Sequence, residues 1–347
     1  MAKFLFNLLL VVIVLGGLLR FSVEFEGPQD TAIEQFSRIA MTNTARGLPQ
    51  PDSLKVFVCG SGSPLGNSDR AQACIAILTP NHFYIIDSGA GSTARLASAG
   101  LPFERLQGVF LTHFHSDHIA EVYELNLNSW VRGRPEPLRV FGPEGVKPVA
   151  SAINDLYRQD REYRIAHHGE ALLNPDLGVL NSVRIKAGQT FEDGDLTITA
   201  YGADHSPVEP AVGYRIDFRG RSVVVSGDSN VTDNTRRIAN NTDLLLHDAL
   251  VVSVITTTAQ SADEAGLPRL AKIMRDVLDY HASTDSLIAL NSEITVGMIG
   301  FYHLVPVPAN LVLQKAFERN LADNMIITND GDWFELPVGT KEIIRYD

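Results

Sequence analysis

The densest chemistry in the 347-residue chain is Thr112-His113-Phe114-His115-Ser116-Asp117-His118, which puts three imidazoles and a carboxylate within six residues. Such a cluster is poor core material, because every one of these groups needs a polar partner once it leaves water. Neutral imidazole is the commonest metal ligand near neutral pH, and a carboxylate adds the harder oxygen that hydrolytic sites use. The cluster follows an apolar strand expected at residues 108–111. In a turn at that strand's end, His113 and His115 can face one ion while Asp117 and His118 turn toward a second. One cluster cannot fill two coordination shells. Three more candidates each follow an expected strand: His205 after residues 196–201, Asp228 after 222–226, and His303 after 296–301. Singly each reads as a turn residue; their shared placement marks them as one set of ligands.

These groups need strands that end on a common rim. Residues 54–59, 73–78 and 83–86 read as successive strands, separated by a glycine-rich turn at 60–64 and by Pro80-Asn81. Further strands are expected at 108–111, 183–186, 196–201, 212–218, 222–226, 244–246, 296–301 and 325–327, and helices at 92–99, 145–157, 268–280, 284–293 and 309–320. Strand meanders mixed with peripheral helices predict an α+β fold, two packed sheets with helices outside. Cys59 and Cys74 lie in apolar strands and read as core packing, with a single disulfide as the alternative.

Ahead of this region, residues 4–19 are apolar apart from Asn7 and two glycines, bounded by Lys3 and Arg20. The run is just short of the ~17–25 residues that span a bilayer and longer than most cleavable signal cores. No small-residue cleavage pattern follows it. Residues 1–22 are therefore expected to be an uncleaved signal anchor, with a cleaved signal peptide next and a buried N-terminal helix as the plain alternative. Lys3 on one side, and Glu24, Glu26 and Asp30 on the other, favour a body outside the cytoplasm, in the periplasm or on the cell surface. Residues 23–53, with Pro28, Pro49 and Pro51, read as a linker containing a short helix near 31–41, and residues 54–347 as the folded domain. The formal charge is −12, from 29 Lys plus Arg against 41 Asp plus Glu, and no basic run interrupts it. That disfavours a general nucleic-acid binder, which needs clustered cations against phosphates.

The HxHxDH cluster followed by His205, Asp228 and His303 in that order resembles the metallo-β-lactamase superfamily, over about residues 54–336. The resemblance implies a four-layer αββα sandwich and a hydrolase domain holding two zinc ions, with Mn or Fe also suited to mixed His/Asp donors. It puts His113, His115 and His205 on one metal, Asp117, His118 and His303 on the other, and Asp228 between them. Asp87, in Ile86-Asp87-Ser88-Gly89, matches the superfamily's acidic residue after an early strand, which supports the ligands from behind; an ordinary turn aspartate is the alternative. Within the superfamily the chain is more similar to the ribonuclease Z and arylsulfatase-like branch. That likeness rests on Cys59-Gly60-Ser61-Gly62-Ser63-Pro64 with Arg70, and on Val212-Gly213-Tyr214-Arg215. It also rests on His247-Asp248-Ala249, where those ribonucleases carry His-Glu-Ala, and on His281-Ala282-Ser283-Thr284, where they carry His-Ser-Thr.

Such a centre activates water toward an ester, with Asp117 able to take a proton from it. His281 is the candidate general acid for the leaving oxygen, oriented by Asp248; His247 reads as structural or as a support behind the site. The expected substrate is a small-molecule phosphodiester, sulfate ester or related ester. The alternative is tRNA 3′ processing in the manner of ribonuclease Z. Nucleic acid is disfavoured by the charge, by the N-terminal anchor, and by the lack of the Gly/Pro-rich basic arm with which those ribonucleases grip tRNA. A metal-binding protein without turnover is a third reading, weakened because every ligand candidate is retained. Lactonase and β-lactamase chemistry stay open. Residues 142–181 read as a lid or pocket wall, with His167 and His168 as solvated loop residues and contact with substrate as the alternative. The remaining partner expectations are a membrane, through the N-terminal segment, and a second copy of the chain as a homodimer.

Overall fold

Side chains alternate between the two faces of a strand, and in the first predicted strand both sets are chiefly apolar: Leu54, Val56 and Val58 on one side, Phe57 and Cys59 beside Lys55 on the other. A strand keeps that pattern only where both of its faces are covered. The computed structural model, which describes residues 20, 24–42, 52–65 and 69–346, bears this out. One sheet is built from β1 (Ser53–Gly60), β2 (Cys74–Leu78), β3 (Phe83–Ile86), β4 (Gly108–Phe110), β5 (Leu138–Gly142) and β6 (Leu180–Arg184), closed at its other edge by β14 (Trp333–Pro337) and β15 (Ile344–Tyr346). Its order is β15-β14-β1-β2-β3-β4-β5-β6. The second sheet holds β7 (Thr190–Asp193), β8 (Leu196–Gly202), β9 (Val212–Phe218), β10 (Arg221–Val225), β11 (Thr242–Leu250), β12 (Val296–Val305) and β13 (Met325–Ile327), in the order β13-β12-β11-β10-β9-β8-β7. Each sheet begins as an antiparallel meander and turns parallel, at β3–β6 in the first and at β10–β13 in the second.

Three apolar clusters give the layers. Val56, Val58, Ile75 and Ile86 of the first sheet meet Ile198, Ile216, Val223 and Leu246 of the second in a buried core between the sheets. On the far side of the first sheet Phe57, Ala76 and Ile85 pack with Leu96, Leu125 and Val146 of helices. Beyond the second sheet Val224, Leu245 and Ile299 pack with Leu287, Leu290 and Phe317. Helix, sheet, sheet, helix is the four-layer α+β sandwich expected from the sequence.

Several elements depart from the sequence reading. Helices Val122–Val131, Arg158–His168, Asp233–Ala239 and Val252–Glu264 were not anticipated. In Arg158–His168 charge runs almost throughout, so no apolar stripe signals a helix; His167 and His168 sit in its last turn rather than in a loop. Val252–Glu264 is built largely from β-branched and small polar residues of modest helix propensity. Cys59 and Cys74 are joined by a disulfide instead of merely packing. The antiparallel β1–β2 pairing, with a register shift between Val58 and Gly60, brings the two cysteines together. Replacing both by alanine is expected to lower unfolding free energy by about 2–3 kcal/mol, the scale for a short closed loop. Denaturant titration of the oxidised protein and the double variant reads this directly; equal midpoints would mean the bond contributes nothing.

The chain divides into two units, Met1–Gly47 and Leu48–Asp347. In the first, the described part is chiefly a helix, Glu26–Thr42, that starts ahead of the expected residue 31 and leaves Ile33, Phe36 and Ile39 exposed. The anchor expected over residues 1–22 falls mainly on residues outside those described; among the described residues no helix is long and apolar enough to cross a membrane.

Candidate active site

The predicted donors gather where the carboxyl ends of β4, β8 and β10 meet the last residues of β12. After β4, Thr112 carries the chain out, and its carbonyl accepts the Val212 N–H of β9, tying the two sheets at this rim (3.0 Å). His113 to Ser116 form a turn, and a short helix, Ser116–Ile119, presents Asp117 and His118 inward, both buried. Asp87, at the end of β3, fixes this loop from behind. One carboxylate oxygen accepts the Thr112 N–H and the other the Thr112 hydroxyl, each at 2.8 Å, and His118 Nδ1 lies 2.8 Å from that second oxygen. Asp87 thereby leaves Nε2 as the free nitrogen of His118. His205 is set in a similar way: its Nδ1 is 2.9 Å from the Tyr280 carbonyl.

His303 departs from its expected position after a strand. β12 continues to Val305, and His303 is an extra residue within it. His247 pairs with Phe301 and Asp248 with Tyr302, but Ala249 pairs with Leu304. At φ +47° His303 occupies the left-handed region, unfavourable for a residue with a β-carbon. A bulge re-aims a side chain, and here it brings His303 Nε2 to 3.0 Å from Asp117 Oδ2 and Nδ1 to 3.4 Å from Asp228 Oδ1.

The donors form two groups that share Asp228: His113, His115, His205 and Asp228 in one, Asp117, His118, His303 and Asp228 in the other, with donor atoms in each group within 4.8 Å of one another. Asp228 Oδ2 is 3.3 Å from His118 Nε2 and 3.8 Å from His205 Nε2, so one carboxylate faces both groups. Among the described residues, His118 Nε2, His303 Nδ1 and Asp228 Oδ1 are buried with no hydrogen-bond partner. Leaving such atoms unpartnered costs about 1–3 kcal/mol each, and a cation supplies what the protein does not. The donor set therefore fits divalent metal. When bound, metal here would polarise an ester oxygen and acidify water.

Charge suits this in the group of His113, His115 and His205. Burial, with His118 nearby, holds the His113 imidazole well below its usual range; burial also lowers His205 and His115, favouring the neutral form that ligates. Burial alone would raise Asp228, but His303 and His118 outweigh it and keep the carboxylate ionised. In return, Asp228 and Asp87 overcome the effect of burial on His118 and raise it. Asp87→Asn keeps the shape and removes the charge behind His118. Metal affinity is expected to fall about 10–100-fold, the usual cost of losing a partner that orients a ligand. Competition against a chelator measures it, and an unchanged affinity would reduce Asp87 to a turn residue.

Next to the donors stands a second pair. His281 Nδ1 is 2.8 Å from Asp248 Oδ2, and the His281 ring lies 5.5 Å from that of His303. Asp248 is fully buried and accepts the N–H groups of Ser229 and Ala282. Burial raises its carboxyl, but hydrogen bonds from His247 and His281 outweigh this and hold it below the usual range. His247, whose Nδ1 is 2.8 Å from Asp248 Oδ1, lies against the carboxylate from within the sheet. Three contributors had escaped the sequence reading: Thr112, Tyr280, and Tyr302, whose hydroxyl accepts the Gly227 N–H beside Asp228. Each adjoins a predicted site residue in the chain, and adjacency was the one signal available.

A two-sheet sandwich with paired His/Asp donor groups at its strand ends, and a buried His–Asp pair beside them, defines a metal-dependent hydrolase of ester bonds. Residues 83–273 match the family described as the beta-lactamase superfamily domain, and the chain belongs to that superfamily. It is 32% identical over 256 residues to a ribonuclease Z of Mycobacterium bovis, covering 73% of this chain and 86% of that one. Among solved structures it is similar to the metallo-beta-lactamase fold protein YhfI from Bacillus subtilis (20% identity, TM-score 0.59, 82% of this chain and 100% of that one). It is also similar to the short form of human tRNase Z (16% identity, TM-score 0.56, 82% and 100%). The ribonuclease Z relatives overturn the expectation of a small-molecule ester as substrate with nucleic acid unlikely, and favour the alternative kept beside it. The physical reason is that a net charge of −12 averages over the whole surface and says little about one groove. The arylsulfatase side of the resemblance has no counterpart in these relatives.

Proposed function

We infer that the chain is a ribonuclease Z-like endonuclease, hydrolysing a phosphodiester bond in RNA with tRNA-type 3′ ends as its probe substrate. The observation that carries this is the His281–Asp248 pair beside the shared-Asp228 donor groups, in a chain so similar to ribonuclease Z. His113, His115 and His205 would hold one divalent ion, zinc by expectation, Asp117, His118 and His303 would hold another, and Asp228 would serve both; Mn or Fe suits the same donors. Asp117 accepts a proton from the attacking water. His281, its Nδ1 engaged by Asp248, gives a proton from Nε2 to the leaving ribose oxygen. The test is a precursor tRNA with a 3′ trailer, offered to full-length protein loaded separately with each metal. A single cut at the trailer, abolished by chelator and restored by metal, is expected. Hydrolysis of small diesters with no RNA cut under any metal would overturn the reading.

The Cys59–Cys74 bond favours an oxidising compartment, and the apolar run at residues 4–19 favours delivery there. The natural substrate is then RNA present outside the cytoplasm. Thiol trapping in intact cells decides this separately: free thiols at both cysteines would end the compartment reading and leave the ribonuclease reading intact.

A further inference from the structure

Beside the donors opens a recess of about 440 Å³, lined in part by His115 and His205. Its aromatic wall is Tyr280. That ring meets His205 edge-on, centroids 5.1 Å apart, and lies 4.9 Å from the His281 ring, so it touches both a candidate ligand and the candidate acid. One side packs against the cluster of Leu250, Met274, Val277 and Val305, while the residue as a whole is only half-buried. Its position is fixed by its own carbonyl, which pairs with His205 Nδ1. Pro207 and Val208 add apolar surface to the recess.

The charges around this recess decide what it can take. Among the described residues no lysine or arginine lines it; its acidic walls are Asp276 and Asp279. Lys272 neutralises Asp276, at 2.6 Å. The Asp279 carboxylate has no hydrogen-bond or ion-pair partner among the described residues, and neither has the Tyr280 hydroxyl. Away from the donor histidines, the described lining offers a phosphate no lysine or arginine, and Asp279 is left as an unpaired carboxylate to oppose it. A flat, uncharged group with N–H donors on its edge meets an aromatic face, two apolar walls and a free acceptor. We propose that Tyr280 is the platform on which the nucleobase adjoining the scissile phosphate stacks, with Asp279 accepting from the amino edge of that base. This rests on the ribonuclease reading for its substrate class and adds a specificity-determining residue to it.

Binding of mononucleotides to the metal-loaded full chain, measured by calorimetry, tests the platform without relying on turnover. Adenosine 5′-monophosphate is expected to bind about tenfold or more tightly than ribose 5-phosphate, the scale of one base–aromatic stack. Tyr280→Ala should erase the gap, and Tyr280→Phe should keep it. Purine riboside 5′-monophosphate, which lacks the amino group, should bind several-fold more weakly than the adenosine nucleotide in the native protein and equally in Asp279→Ala, where no side-chain acceptor remains. The platform falls if native protein binds the nucleotide and the bare sugar phosphate alike, a comparison that needs no variant to fold, or if folded Tyr280→Ala keeps the gap. The two readings separate cleanly. Trailer cleavage without a base-dependent gap overturns the platform alone, whereas the gap and its loss in Tyr280→Ala, without cleavage of any RNA, leave the platform standing and overturn the ribonuclease.

Discussion

Alanine at Asp228 is expected to strip the protein of metal and to lower RNA cleavage by more than about 100-fold, beyond the ~10–100-fold that loss of a merely orienting partner costs. Asp228 is the one residue common to both donor groups, so its removal opens each of them at once. It is also the anion that raises His118 and His303 against the effect of burial. Without it, a divalent cation among the buried imidazoles of His113, His118 and His303 loses the carboxylate that would offset its charge. Asp228→Asn separates shape from charge, since it fills the same space and lacks the anion. Elemental analysis after dialysis, together with turnover at saturating metal, reads both effects. Retention of full metal content and ordinary turnover in the alanine variant would sink the shared-carboxylate centre.

The ligand set was legible because its signals are local: an HxHxDH run cannot be explained by packing, and strand ends can be read from apolar runs bounded by turns. What stayed hidden depends on pairing across the chain. The disulfide needs the β1–β2 register, including its shift near Cys59. His303 looked like a residue beyond a strand, because the bulge that puts it inside β12 arises from β11–β12 pairing and carries no signature in its own neighbours. Tyr280 had no motif of its own; only the fold brings its carbonyl to His205. Strands β14 and β15 went unseen as well: β14 is a short segment that pairs with β1 at the far end of the chain, and the exposed edge strand β15 forms only on β14. Substrate choice was misjudged for a different reason. Whole-chain charge was taken as a guide to a single surface, and an absent arm as a guide to an absent substrate, whereas recognition can be spread over side chains such as those lining the recess at Tyr280.

Loss of His281 should discriminate between leaving groups. In His281→Ala, kcat for RNA is expected to fall about 10²–10⁴-fold, the contribution of a positioned general acid. A ribose oxygen leaves poorly without a proton. A nitrophenolate leaves readily without one, so hydrolysis of a nitrophenyl diester by the same variant should change little. Asp248→Asn tests the other half of the pair. An amide in place of the carboxylate no longer accepts from His281 Nδ1 in the same way, 2.8 Å away in the native protein, and its N–H groups favour the tautomer with the proton on the wrong nitrogen. The RNA rate should therefore drop in this variant too, and the double variant should be scarcely slower than the worse single one, as for residues that act as a unit. Asp248 is fully buried and also holds Ser229, Ala282 and His247, so circular dichroism and metal content must first show the asparagine variant folded and loaded. Equal losses on both substrates in His281→Ala would make His281 a residue that positions the site, and the proton for the leaving oxygen would have to come from water.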